Sequence, residues 1–218
     1  TFAAVGKFLE IVKRYDTTCK VFQPVTAMMF GNAASPQNED TKFDPQSPYA
    51  CAKVGAYYLA RYYRQVHGMF VCTGILYNHD SPRRSEEYLL HKIARSTVRM
   101  KKGEQKILAL GNLDMRVDIG FAEEDMEAAN DMLQLEKPDD YIISTGTGCT
   151  INDMVNAAFQ SAKLERTSSN VTVDLRFYQP GNLPTMIGNN NKAKKAFGFN
   201  PSFNSLELVS WLVQELLS

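Results

Sequence analysis

Residues 69–77 read Met-Phe-Val-Cys-Thr-Gly-Ile-Leu-Tyr, an apolar run with no charge and a single hydroxyl ahead of the closing tyrosine. A strand wetted on one face alternates apolar and polar residues, so an unbroken run predicts a strand covered on both faces. That burial belongs to parallel sheets flanked by helices, and helical periodicity does surround the run. Upstream, residues 2–15 place Val5, Phe8, Leu9, Ile11, Val12 and Tyr15 at helical spacing, and residues 19–25 read as a short buried strand. Residues 31–48 are a loop rich in Asn, Pro, Asp and Gln. Ser47-Pro48 then opens a helix over 49–66 that Gly68 closes. Downstream, 81–84 is a loop, and helices are predicted at 86–100, 122–133, 151–164 and 206–217. Extended segments fall at 103–110, 141–145 and 171–175, and 188–200 holds a short helix and a turn. Alternating helices and strands predict an α/β fold with a parallel sheet.

The 49–66 helix carries charge only at Lys53, Arg61 and Arg64, with apolar or aromatic residues around the rest of its axis. Such a helix is buried on more than one side. One side covers the sheet; the other meets either a partner chain or the interior of its own domain. The chain of 218 residues is 44% apolar and balances 24 Lys and Arg against 24 Asp and Glu. Zero net charge argues against a general nucleic-acid binder. The apolar stretches are too short to span a bilayer, and no secretory signal is visible. Cys19, Cys51, Cys72 and Cys149 are widely spaced and read as buried thiols of the cytoplasm or another reducing intracellular compartment. The first residue is Thr1, so a piece of a longer chain is expected.

Gly146-Thr-Gly148 follows a predicted strand and precedes a helix, as a dinucleotide-binding turn does. Its third glycine position is Ile151, however, and Thr150 to Asp153 fits a helix N-cap box better. Tyr49 and Lys53 lie four residues apart on one helix face. A lysine ammonium beside a phenol makes the phenol a better proton donor and acceptor near neutrality. Alone, that pair is a weak signal. His67, His79 and His91 show no metal-ligand spacing, and no metal site is expected. His67 and His91 read as surface or satisfied helix residues. His79 follows the buried strand, where open α/β sheets bind ligands, and Arg83 and Arg84 in the next loop suit either phosphate or solvent.

Three segments give that pair its context: Ser47-Pro-Tyr-Ala-Cys-Ala-Lys53, Gly74-Ile-Leu-Tyr-Asn-His-Asp-Ser-Pro-Arg-Arg84 and Leu110-Gly-Asn-Leu-Asp114. They closely resemble the GDP-mannose 4,6-dehydratases, which are extended short-chain dehydrogenase/reductases. Val171-Thr-Val-Asp174, Phe177-Tyr178, Pro180 and Lys192-Ala-Lys194 continue the likeness along nearly the whole chain. The resemblance implies part of a Rossmann-like sheet over 1–110 and mainly a small sugar-nucleotide subdomain over 111–218, with segments returning to the sheet. It implies NADP, which takes a hydride from sugar C4; water leaves across C5 and C6, and the hydride returns to C6. Tyr49 is then the base at the 4-hydroxyl, Lys53 holds the nicotinamide ribose, Thr26 bonds the sugar, and His79 and Arg84 contact NADP.

Several positions depart from the family. Its Ser-Thr-Ser-Glu stands here as Val25-Thr-Ala-Met28, and a thioether cannot remove the C5 proton as the glutamate does. Its Arg-Asp-Trp-Gly-His is Val117-Asp-Ile-Gly-Phe121, and its Tyr-Arg-Pro-Thr-Glu is Tyr178-Gln-Pro-Gly-Asn182, so both arginines expected on the substrate diphosphate are absent. Arg116 projects differently from the residue it adjoins. The family also places several βα units, roughly 120 residues at about 30 per unit, before the helix that begins this chain, with the glycine-rich pyrophosphate turn among them. Expected on this reading is a protein that has lost turnover. It persists as a structural or assembly subunit, oligomeric through the 2–15 and 49–66 helices, with a protein segment over the 19–25 strand. The alternative is an active NADP-dependent nucleotide-sugar enzyme, a dehydratase or C4 reductase or epimerase, whose N-terminal half lies elsewhere.

Overall fold

The computed structural model describes residues 2–177 and 185–218. In chain order the elements are α1 (Phe2–Tyr15), β1 (Val21–Thr26), α2 (Pro48–His67), β2 (Val71–Leu76), β3 (Asn78–Asp80), α3 (Leu89–Lys101), β4 (Leu108–Leu110), β5 (Arg116–Val117) and β6 (Ile119–Phe121). After these come α4 (Ala122–Gln134), β7 (Asp140–Ile143), β8 (Cys149–Thr150), α5 (Ile151–Ser161), β9 (Val171–Val173), α6 (Asn191–Phe197) and α7 (Ser205–Leu217). The central sheet runs β1-β2-β7 and is parallel throughout, with Val21 opposite Val71 and Thr73 opposite Asp140. Every residue of β2 is buried, as the unbroken apolar run requires. Three short strand pairs accompany it: β3-β6 and β4-β9 are parallel, and β5-β8 is antiparallel.

Local chemistry sets the boundaries of α2. The Ser47 hydroxyl accepts from the Ala50 amide at 3.1 Å, Pro48 occupies the first turn, and Gly68 closes the helix at φ +63°. One face packs Ala56 and Tyr57 onto the sheet residues Val25 and Ile75. Leu9 and Val12 of α1 join Ala60 and Tyr63 in a second cluster, so α1 supplies the other covered side. Tyr58, Tyr62 and Val66 nevertheless remain exposed, as do Phe8, Ile11 and Tyr15 of α1. The helix is therefore buried on two sides, by the sheet and by α1, with one strip of it exposed in this chain.

β1 begins at Val21 rather than at residue 19, because the Cys19 and Lys20 side chains are exposed and Lys20 Nζ donates to the Leu133 carbonyl at 2.7 Å. Pro24 is tolerated inside β1. The Val21 amide donates to Phe70, so the amides of alternate residues 21, 23 and 25 face β2 and the Pro24 nitrogen faces away, where no ladder bond is lost. Gly74 of β2 admits the Phe22 ring: a β-carbon there would lie 2.6 Å from it. The predicted strand over 103–110 shrinks to three residues, since Gly103 turns at φ +77° and only Leu108 and Leu110 reach the core. The helix expected from residue 86 starts at Leu89, because Glu86 turns outward to Arg99 and Arg95. Of the four cysteines only Cys72 is buried; Cys19 and Cys51 sit on exposed surfaces and Cys149 is half-buried. The buried-thiol expectation fails for Cys19 and Cys51, which fall on faces the core does not reach, and holds in part for Cys149, which packs against the edge of the core.

A charged network ties α2 to the sheet beneath it. Arg64 grips Asp140 through two bonds of 2.9 and 2.8 Å and also donates to the Val71 carbonyl at 3.0 Å. The Tyr57 hydroxyl donates to the same carboxylate at 2.9 Å, and burial beside that charge pushes the phenol up to about 12. Both partners of the pair are largely enclosed, with side chains 12% and 8% exposed. Removing one end strands a buried charge, which costs more than the pair itself contributes. Asp140→Ala is expected to lower the unfolding free energy by about 3 kcal/mol or more in denaturant titration; a loss under about 1 kcal/mol would show the pair to be solvated.

Candidate functional site

The C-terminal ends of β1 and β2 open onto a cleft of about 700 Å³. Thr26 ends β1 and caps the following turn, its hydroxyl accepting from the Met28 amide at 3.3 Å. That turn carries Met28 to the cleft wall, where it is 43% exposed. Tyr49 and Lys53 enter from the first turns of α2, and His79 and Arg84 from β3 and the loop beyond it. All six positions singled out in the sequence thus line one cleft. Met115, Val117 and Ile119 line it as well.

Lys53 Nζ donates to the Pro24 carbonyl at 3.0 Å and lies 5.8 Å from the Tyr49 ring centroid. Burial lowers the Lys53 ammonium below the ordinary lysine range. One of its three N–H donors is spent on the strand, leaving two for a ligand. The Arg84 guanidinium stacks 3.4 Å from the Tyr88 ring centroid, and its Nε is buried without a partner among the described residues. His79 Nδ1 stands 3.0 Å from the Asp125 carboxylate and 3.0 Å from the Tyr77 carbonyl. The sequence does not single out Asp125. Its only signal there is an acid in a helix first turn, and the contact links segments far apart in the chain.

Other expectations resolve differently. His91 is fully buried rather than on the surface. Its Nε2 accepts from Arg95 Nε at 2.8 Å, which leaves the proton on Nδ1, 3.7 Å from Asp80. Asp80 at the end of β3 and Ser81 beyond it stand against the imidazole, next to the core residues Leu90 and Ala94 of the same helix. Arg116 donates to the Gly148 carbonyl at 2.8 Å and does not line the cleft, while Val117 beside it is buried. The Gly146-Thr-Gly148 turn already encloses an anion of the chain itself. Asp118 accepts from the Thr145 amide and hydroxyl at 3.0 and 2.7 Å and from the Gly146 amide at 3.1 Å. Gly146, at φ +78°, supplies the left-handed geometry for that nest. Thr150 and Asp153 complete the reciprocal N-cap expected of them. Tyr178 to Asn182, the second missing-arginine position, lies outside the described residues. No group of three or more metal-ligating side chains occurs among the described residues.

A family profile described as GDP-mannose 4,6 dehydratase matches residues 1–211. The chain belongs to the GDP-mannose 4,6-dehydratase family. It is 40% identical over 213 residues to GDP-mannose 4,6 dehydratase 2 of Arabidopsis thaliana, covering 96% of this chain and 57% of that protein. GDP-mannose 4,6 dehydratase 1 of the same plant is 37% identical over 96% of this chain and 59% of its own length. The chain therefore spans under two thirds of the length of these relatives. Among solved structures, RMD from Pseudomonas aeruginosa complexed with NADPH superposes with a TM-score of 0.87 at 19% identity, covering 98% of this chain and 71% of that one. The dTDP-glucose 4,6-dehydratase of Bacillus anthracis in complex with NAD gives 0.83 at 21% identity over 96% and 65%. These likenesses establish the α/β fold, with the parallel sheet read from the sequence. No helix among the described residues is long and apolar enough to cross a membrane.

Asp118 holds the β5–β6 segment, and with it Val117 and Ile119, against the 145–148 turn. Asp118→Ala leaves the part-buried Thr145 and Gly146 amides without their acceptor and is expected to cost about 1–2 kcal/mol, with faster hydrogen exchange at Thr145 and Gly146. Unchanged exchange there would contradict the anchoring role.

Proposed function

We propose that this chain is part of a GDP-mannose 4,6-dehydratase relative that has lost dehydration and acts as a structural or assembly subunit. The observation that carries the reading is Met28 on the wall that Thr26 and Tyr49 share. The family's glutamate removes a proton at this place, and a thioether neither accepts nor donates one. Val117 stands where the family clamps diphosphate, and Arg116 is turned to the Gly148 carbonyl. Val117 offers no charge there, which forfeits the charge-assisted bonds an arginine makes to a nucleoside diphosphate.

The residues that remain fit the nicotinamide end of NADP, the cofactor the family implies. Lys53 offers two free N–H donors, Tyr49 a half-exposed phenol, and Arg84 an unpartnered buried Nε. When bound, NADP supplies the hydride acceptor; Tyr49 and Lys53 would orient its ribose, and His79 and Arg84 would meet its polar groups. The assembly role is supported by the exposed apolar residues Phe8, Ile11 and Tyr15 on α1 and Tyr58, Tyr62 and Val66 on α2, a surface suited to a second copy or another subunit. The edge of β1 away from β2 is the place for a covering segment.

A second reading is favoured by the retained pair itself. Tyr49 and Lys53 on one helix face, with Thr26 in the same cleft, are the groups that oxidation, reduction or epimerisation at C4 needs, and none of these requires the glutamate. The full-length protein given NADP and GDP-mannose is expected to form no 4-keto-6-deoxy sugar. Formation at about 10 turnovers per second, an ordinary enzyme rate, would overturn the leading reading. A C4 epimer or reduced sugar without loss of water would select the second.

A further inference from the structure

The cleft holds an imidazole whose support lies outside the residues the family resemblance names. His79 is held through Nδ1 alone: the Asp125 carboxylate and the Tyr77 carbonyl both approach that nitrogen at 3.0 Å. Both neighbours are acceptors, so Nδ1 must carry a proton. Nε2 has no protein partner among the described residues and is not among the buried unpartnered atoms, so it is the nitrogen left open. The imidazole side chain is 29% exposed and lines the cleft, whereas the carboxylate behind it is 6% exposed. A buried carboxylate behind Nδ1–H, with Nε2 open, is the arrangement by which a carboxylate fixes the tautomer and offsets the charge of an imidazole base.

We propose that Asp125 is a positioning residue that fixes His79 with Nδ1–H turned to the protein and Nε2 offered to the ligand, making His79 a proton-exchanging group of the cleft. When Nε2 takes a proton from a ligand hydroxyl, the O–H bond breaks, the N–H bond forms and the electron pair stays on the ligand oxygen. The resulting positive ring is balanced by the Asp125 carboxylate. The hydrogen bond to Asp125 raises the His79 imidazole above its ordinary value, against burial, which lowers it. Burial likewise pushes the Asp125 carboxyl up to about 6, with His79 pulling it back. The other charges facing the pair are Arg84 from the loop after β3, which disfavours the imidazolium, and Asp118 and Glu124, which disfavour the carboxylate. Tyr49 and Lys53 of α2 line the same cleft.

This role does not depend on whether the cleft turns over, and magnetic resonance of imidazole-labelled full-length protein tests it without substrate. Nitrogen shifts of wild-type His79 above its midpoint are expected to show the Nδ1–H tautomer, with the midpoint above 6.5. In Asp125→Asn the midpoint is expected to fall by about one unit, a tenfold change in proton affinity. Neutral His79 protonated at Nε2 in the wild type would overturn the proposal even if the variant failed to fold. A midpoint unmoved by Asp125→Asn would overturn it as well.

Discussion

The parallel register of β1, β2 and β7 is the constraint on which the rest depends. It brings the ends of β1 and β2 level, so that Thr26 lies opposite Leu76 and the chain leaves both strands at one rim. The turn beyond β1 then carries Met28, and the segment beyond β2 carries Tyr77, His79 and Arg84, into walls of the same cleft. A ligand site at strand C-terminal ends is a consequence of this topology rather than an addition to it. The register is itself fixed by burial. β2 is enclosed on both faces, and the Phe22 ring fits over Gly74 where no other residue would leave room. Arg64 and Asp140 then lock α2 across β2 and β7, which sets the height at which Tyr49 and Lys53 reach the rim.

Within this frame the backbone of the cleft and the side chains on it can be considered apart. Ser47, Pro48 and Gly68 still bound α2 as a helix should be bounded, and Thr26 still caps its turn. The same backbone delivers a thioether at Met28 and a buried isopropyl group at Val117. Met28 stands exposed on the cleft wall and Val117 packs into the core, so the fold itself does not demand the family's residues at those two positions. His79 on the same cleft is held from behind by Asp125.

The fold was legible in the sequence wherever one element's own periodicity decides its burial. Residues 69–77 announce a doubly covered strand, and the caps of α2 are written in Ser47, Pro48 and Gly68. The six cleft residues were legible through family resemblance, because spacing alone left Tyr49 and Lys53 a weak pair. Sequence concealed the contacts between distant segments. Asp125 behind His79, Asp80 facing His91 and Asp118 inside the 145–148 turn each join residues from separate elements. Cys19 and Cys51 misled because composition says nothing about which face of an element a small residue occupies.

The claim at the centre is that elimination chemistry was lost by replacement of side chains on an intact cleft. Restoring the three groups in the full-length protein, Met28→Glu with Val117→Arg and Gln179→Arg, tests it most directly, with NADP and GDP-mannose supplied and the sugar product weighed by mass spectrometry. The account predicts loss of water from the sugar in the restored protein and none in the wild type. Water loss by the wild type at the same rate as the restored protein would contradict it.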